Sequence, residues 1–179
     1  SMKLRDQYGN EVLAKATTNL TLDQTGSDVS FGGEVVQLLS LSDYEGVYTA
    51  TLAGQYQMSL LVNGFDVEGS PFDIVIFPGA THWSKCMAYG PGLQAAIAGD
   101  VSTFNIVSRD RYGNFRTQGG DDFKTSLTGQ QLATGGLIDY QNGTYVTSFS
   151  LVMAGDYGLT VSLGVDTFKS VYPLPCLAA

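Results

Sequence analysis

Asp6-Gln7-Tyr8-Gly9-Asn10, near the start of the chain, returns as Asp110-Arg111-Tyr112-Gly113-Asn114. Ala53-Gly54-Gln55-Tyr56 returns as Ala154-Gly155-Asp156-Tyr157, and Glu45-Gly46-Val47-Tyr48 resembles Asn142-Gly143-Thr144-Tyr145. The order is the same in both halves and the offset is roughly 100 residues. Landmarks repeated in fixed order mean one module present twice. A chain of 179 residues has room for two modules of about 80–100 residues each. The junction is placed near Pro78-Gly79-Ala80, giving modules over 1–79 and 80–179.

The modules read as strands. Tyr56, Met58, Leu60 and Val62 fall on one face, with Gln57, Ser59 and Asn63 opposite. The second copy repeats the alternation, with Tyr157, Leu159, Val161 and Leu163 inward and Thr160 and Ser162 outward. Phe104 and Ile106 alternate with Asn105, and Phe123, Thr125 and Leu127 with Lys124, Ser126 and Thr128. Period two with one apolar face marks a half-buried antiparallel strand. The Gly92–Gly99 stretch is rich in Ala, but its bracketing glycines favour a loop or bulged strand over a helix. Short strands punctuated by Gly, Asn and Asp predict a β-sandwich.

Composition narrows the role. Net charge is −8, with three basic against ten acidic residues up to Gly79 and six against seven from Ala80 onward. Such a surface repels phosphate, so no nucleic-acid partner and no anionic-lipid partner is expected. No apolar run reaches the ~18 residues of a membrane span, so no membrane insertion is expected in this segment. Cys86 and Cys176 are too far apart for a disulfide framework and read as buried thiols. They could pair if the first and last strands of the second module are neighbours. Asn19-Leu20-Thr21 and Asn142-Gly143-Thr144 match the glycosylation acceptor pattern.

Read in order, Gly69-Ser70-Pro71-Phe72, Pro78-Gly79, Gly90-Pro91-Gly92-Leu93, Asp110-Arg111-Tyr112-Gly113-Asn114, Gly119-Gly120-Asp121-Asp122-Phe123, Asn142-Gly143-Thr144-Tyr145 and Ala154-Gly155-Asp156-Tyr157 resemble the filamin-type immunoglobulin repeat. The resemblance implies an all-β fold of two tandem immunoglobulin-like (filamin-type) sandwiches, each with strands A to G. Only five residues precede Asp6, so the first copy is expected to lack its strand A and part of strand B. It would then borrow a strand from a second copy of the chain or from the tail Val171–Ala179, or be frayed there. Tyr48 stands only six positions before Gly54, where Tyr145 stands ten before Gly155, so either Tyr48 or Tyr44 is the equivalent of Tyr145.

Chemistry is sparse. The single histidine, His82, lies in the linker, so Ser-His-Asp and Cys-His catalysis lack a base beside a nucleophile. His82 and Cys86 supply two ligands, too few for zinc. Asp121-Asp122 reads as a solvated turn rather than a catalytic pair, and Asp73 and Asp100 form no spaced calcium loop. No cofactor or metal is implied, and the chain reads as no enzyme. The resemblance implies a scaffold segment of a longer multi-repeat protein, cytoplasmic and cytoskeletal or ciliary. Its partners would be neighbouring repeats and an extended peptide added beside strand C, next to strand D. The positions carried over are Phe123, Lys124, Thr125, Ser126 and Leu127, with Leu132, Leu137 and Ile138 near strand D. In the first module they are Thr18, Asn19, Leu20, Thr21 and Leu22. Trp83 reads as an interdomain packing residue. The alternative is an extracellular cell-adhesion module, which the two sequons and a Cys86–Cys176 bond would favour.

Overall fold

The computed structural model describes residues 2–3, 5, 8, 10, 18–23, 32–37, 43–62 and 64–179. It divides the chain into two units, Ser1–Phe77 and Pro78–Ala179, so the boundary falls two residues before the expected 79/80 junction. The hydrogen bonds explain the shift. The Gly79 amide donates to Asp110 Oδ2 at 2.9 Å, and Arg116 Nη1 donates to the Gly79 carbonyl at 2.7 Å.

The second unit contains strands β8 (Met87–Tyr89), β9 (Ala96–Ile97), β10 (Val101–Val107), β11 (Phe123–Gly129), β12 (Ala133–Thr134), β13 (Gly136–Asp139), β14 (Thr144–Ser150), β15 (Gly155–Leu163) and β16 (Asp166–Leu177). One sheet has the order β13-β14-β10-β8, the other β12-β11-β15-β16-β9. These are the A-B-E-D and C-F-G layers of an immunoglobulin-like sandwich, with a short added strand at each margin of the second. The alternation read from sequence is observed. Phe104, Ile106, Phe123, Leu127, Leu159 and Val161 are buried between the sheets, while Lys124, Ser126 and Thr128 face out. Gly92–Gly99 forms a 3₁₀ turn over Pro91–Leu93 followed by β9, which runs parallel to β16.

The first unit contains β1 (Met2–Lys3), β2 (Thr18–Asp23), β3 (Gly32–Gln37), β4 (Asp43–Thr49), β5 (Gly54–Val62), β6 (Phe65–Asp66) and β7 (Phe72–Ile76). Its sheets are β1-β4-β3 and β2-β5-β6, with β7 also on β5. Strand β1 occupies the place of β10, and no strand among the described residues occupies that of β8, the strand A position. The tail does not supply the missing strand. Residues Tyr157, Gly158 and Leu159 pair with Leu174, Pro173 and Tyr172 inside the second unit, because the tail is that unit's own last strand. Residues 6, 7 and 9 of the first Asp-x-Tyr-Gly-Asn motif lie outside the described residues.

Register settles which tyrosine matches Tyr145. Tyr145 is the second residue of β14 and pairs with Asp139, the last of β13. Tyr44 is the second residue of β4 and pairs with Gln37, the last of β3. Tyr44 is therefore the equivalent, and the apparent match of Tyr48 arises from a chance Gly-x-Tyr. Both tyrosine corners form. Tyr56 Oη donates to the Leu52 carbonyl at 2.7 Å, and Tyr157 Oη to the Met153 carbonyl at 2.8 Å.

The turn after β10 is organised by Asp110, which is buried. Its Oδ1 accepts the amides of Tyr112 and Asn114 at 2.9 and 3.0 Å. Its Oδ2 accepts the Gly79 amide and Asn114 Nδ2, the latter at 2.8 Å. Gly113 turns the chain at φ 91°, a conformation that costs glycine nothing. Burial alone would raise the Asp110 pKa, but bonds from the Asn114 side chain and the Gly79, Asn114 and Tyr112 amides outweigh it, and the net shift is downward. A folded pKa below the unfolded one gives stability that is present above the unfolded pKa of about 3.9 and lost as pH falls through the folded value. Asp110→Ala is expected to destabilise the second unit by about 2–4 kcal/mol, read by denaturant unfolding. Asp110→Asn is expected to flatten the acid limb of the stability–pH curve.

Candidate functional site

Strand β11 runs along one margin of the β11-β15-β16 layer. On its inner side it pairs with β15 along its whole length, Phe123 opposite Leu163 through Gly129 opposite Tyr157. Phe123, Thr125 and Leu127 point into the core at 3%, 5% and 1% exposure, and Lys124 and Ser126 point to solvent. Lys124 is ion-paired with Asp122 at 2.9 Å, both side chains about two-thirds exposed. Such a pair contributes little to stability.

The outer edge of β11 is partly occupied by the chain itself. Ser126 pairs with Thr134 and Leu127 with Ala133, and the Gly135 amide donates to the Thr125 carbonyl at 3.0 Å. The segment 133–135 thus lies where an added strand would begin. Beyond it the chain crosses to β13 at the margin of the opposite sheet, where Leu137 pairs with Thr147 and Ile138 with Val146. Leu132, Leu137 and Ile138 are exposed at 82%, 39% and 55%. The structure therefore brings these three apolar side chains to the margins that flank β11. The covering segment was missed by sequence reading. Its signal is the Gly135-Gly136 pair, whose lack of side chains allows close approach to β11 and β14. A Cβ at Gly135 would stand 2.6 Å from Thr147 Cγ2 and 3.0 Å from Thr125 Cβ.

In the first unit Thr18, Leu20 and Leu22 lie on β2, in register with Val62, Leu60 and Met58 of β5. Among the described residues β2 pairs only with β5, so it is a margin of its sheet.

The remaining candidates separate. Trp83 opens a 3₁₀ turn, Trp83–Lys85, and stacks on His82 with ring centroids 6.1 Å apart. His82 Nδ1 is bonded to Ser84 Oγ at 3.0 Å, and Cys86 Sγ donates to the His82 carbonyl. Burial raises the Cys86 pKa. Cys86 and Cys176 are both buried free thiols. Asp121 accepts the Tyr145 hydroxyl at 2.7 Å and its amide donates to the same oxygen, so this carboxylate braces the core tyrosine. Burial pushes the Tyr145 hydroxyl far above its usual pKa. Among the described residues no three His, Cys, Asp or Glu side chains gather as metal ligands, and no helix is long and apolar enough to cross a membrane.

This geometry agrees with a family match: the Filamin/ABP280 repeat covers residues 80–170. The chain belongs to the Filamin/ABP280 repeat family. A 98-residue stretch is 35% identical to the dynein alpha chain of the flagellar outer arm of Chlamydomonas reinhardtii, covering 51% of this chain and 2% of that protein. Filamin-C of Mus musculus is 30% identical over 123 residues, 65% of this chain and 4% of its own length. The chain thus spans a small fraction of these relatives. In fold it is similar to the Escherichia coli adhesin FdeC, at TM-score 0.59 and 17% identity over 97% of this chain and 56% of that one. Filamin repeats are protein-interaction modules. Gly135→Ala is expected to push segment 133–135 off β11. Backbone hydrogen exchange should show faster exchange of the amide at position 135, with a stability loss of about 1–3 kcal/mol.

Proposed function

We propose that this filamin-repeat chain is a non-enzymatic scaffold segment of a longer multi-repeat protein, acting as spacer and as a docking site for an extended peptide. The peptide adds beside β11 in the second unit, using the backbone of Phe123–Leu127 and the apolar side chains Leu132, Leu137 and Ile138. Thr18, Leu20 and Leu22 on β2 form the corresponding margin of the first unit. The supporting observation is that the β12 ladder covers only Ser126 and Leu127, flanked by exposed leucine and isoleucine. Strand addition draws affinity from main-chain bonds and specificity from alternate side chains. The free thiols of Cys86 and Cys176 support this reading over extracellular adhesion, which would favour a bond between them.

A peptide with apolar residues at alternate positions, titrated into the labelled chain, is expected to shift backbone resonances within 123–138 and 18–41. Shifts scattered elsewhere would count against docking. Leu137→Ser should weaken binding by about tenfold, since removing an apolar anchor is worth roughly 1–2 kcal/mol. Intact-mass measurement with and without reductant is expected to show no change.

A further inference from the structure

The second unit carries another surface, separate from the β11 edge. Thr81 bridges Asp110, the His82 amide donates to the Arg109 carbonyl at 2.8 Å, and Arg109 bridges Phe115. The two segments so joined, 78–85 and 109–116, hold Lys85, Arg109, Arg111 and Arg116, four of the six basic residues from Ala80 onward. Their one acid, Asp110, is buried and occupied by donors of its own turn. On a chain of net charge −8 these two segments carry four basic residues against one acid.

The arginines are presented in a particular way. Arg109 lies over the Phe115 ring at 4.0 Å from its centroid, and Arg111 over Tyr112 at 4.6 Å. Both rings are at least half exposed. Stacking occupies one face of a guanidinium and leaves its in-plane N–H groups, which match a carboxylate; on Arg111 one of these, Nη2, donates to the Tyr112 hydroxyl and the others remain. Neither Arg109, Arg111 nor Arg116 is ion-paired among the described residues.

We infer that this surface binds an acidic peptide, with Asp or Glu carboxylates seated on the guanidinium edges of Arg109 and Arg111. Arg116 is partly committed to the Pro78 and Gly79 carbonyls and sets the position of the linker beside them. A nucleic acid fits less well. The ring faces that bases would stack on carry arginines, and the chain's overall negative charge opposes a long polyanion.

The test is a fluorescence-anisotropy titration of the whole chain with a short labelled oligo-glutamate peptide at low and raised salt. Saturable binding that weakens with salt is expected. Arg111→Glu should weaken it at least about tenfold, the effect of losing a charge-assisted hydrogen bond, with the unfolding temperature unchanged because Arg111 is exposed. Arg109→Lys should also weaken it, since it keeps the charge but loses the flat fork. Val152→Glu, beyond the other end of the β10–β14 ladder, should leave binding as it is. Absence of saturable binding, equal loss in Arg111→Glu and Val152→Glu, or tighter binding of a single-stranded oligonucleotide would each overturn the inference.

Discussion

The second unit is organised around one buried carboxylate. Asp110 accepts from the Gly79, Tyr112 and Asn114 amides and from Asn114 Nδ2, so a single side chain joins the incoming linker to the turn after β10. A buried charge is tolerated only when its hydrogen-bonding capacity is filled. The sandwich satisfies that condition by wrapping two segments around it. Because both segments must be in place, the end of the sandwich that bears Arg109, Arg111 and Arg116 is shaped by the same constraint.

The margin of β11 shows the opposite economy. Its cover is two paired residues and one further amide bond from Gly135. A net hydrogen bond in water is worth about 0.5–1.5 kcal/mol, so a cover of this size is weak beside the seven-residue ladder with β15. A longer strand with apolar side chains could replace it and gain more bonds than it breaks. The side chains for that exchange, Leu132, Leu137 and Ile138, are exposed in the unliganded chain. In the proposed docking, a longer external strand would compete with this short internal segment.

Much of the architecture was legible because its determinants are local. Period-two alternation placed Phe123, Thr125 and Leu127 inward, and the repeated Ala-Gly-x-Tyr landmark falls at the Tyr157 corner. Asn142-Gly143, another of the landmarks, lies in the β13–β14 hairpin, where Gly143 takes φ 83°. What failed were non-local assignments. Sequence left Tyr48 and Tyr44 both open, and strand register selects Tyr44. The tail Val171–Ala179 was offered to the first unit, yet its own alternation of Tyr172, Leu174 and Cys176 completes the second. The cover on β11 was invisible because its cause is the absence of a side chain at Gly135, and periodicity records only side chains that are present. The arginine surface was equally hidden, since net charge averages over residues that folding separates.

The pairing of β16 has a mechanical side. It runs antiparallel to β15 but parallel to β9, which lies early in the same unit. Tension drawing those two parallel strands toward their opposite chain ends would slide them along each other. Every bond between them would then be loaded at once instead of being peeled open singly. The contact is two residue pairs long, Cys176 with Ala96 and Leu177 with Ile97, so that load would fall on few bonds.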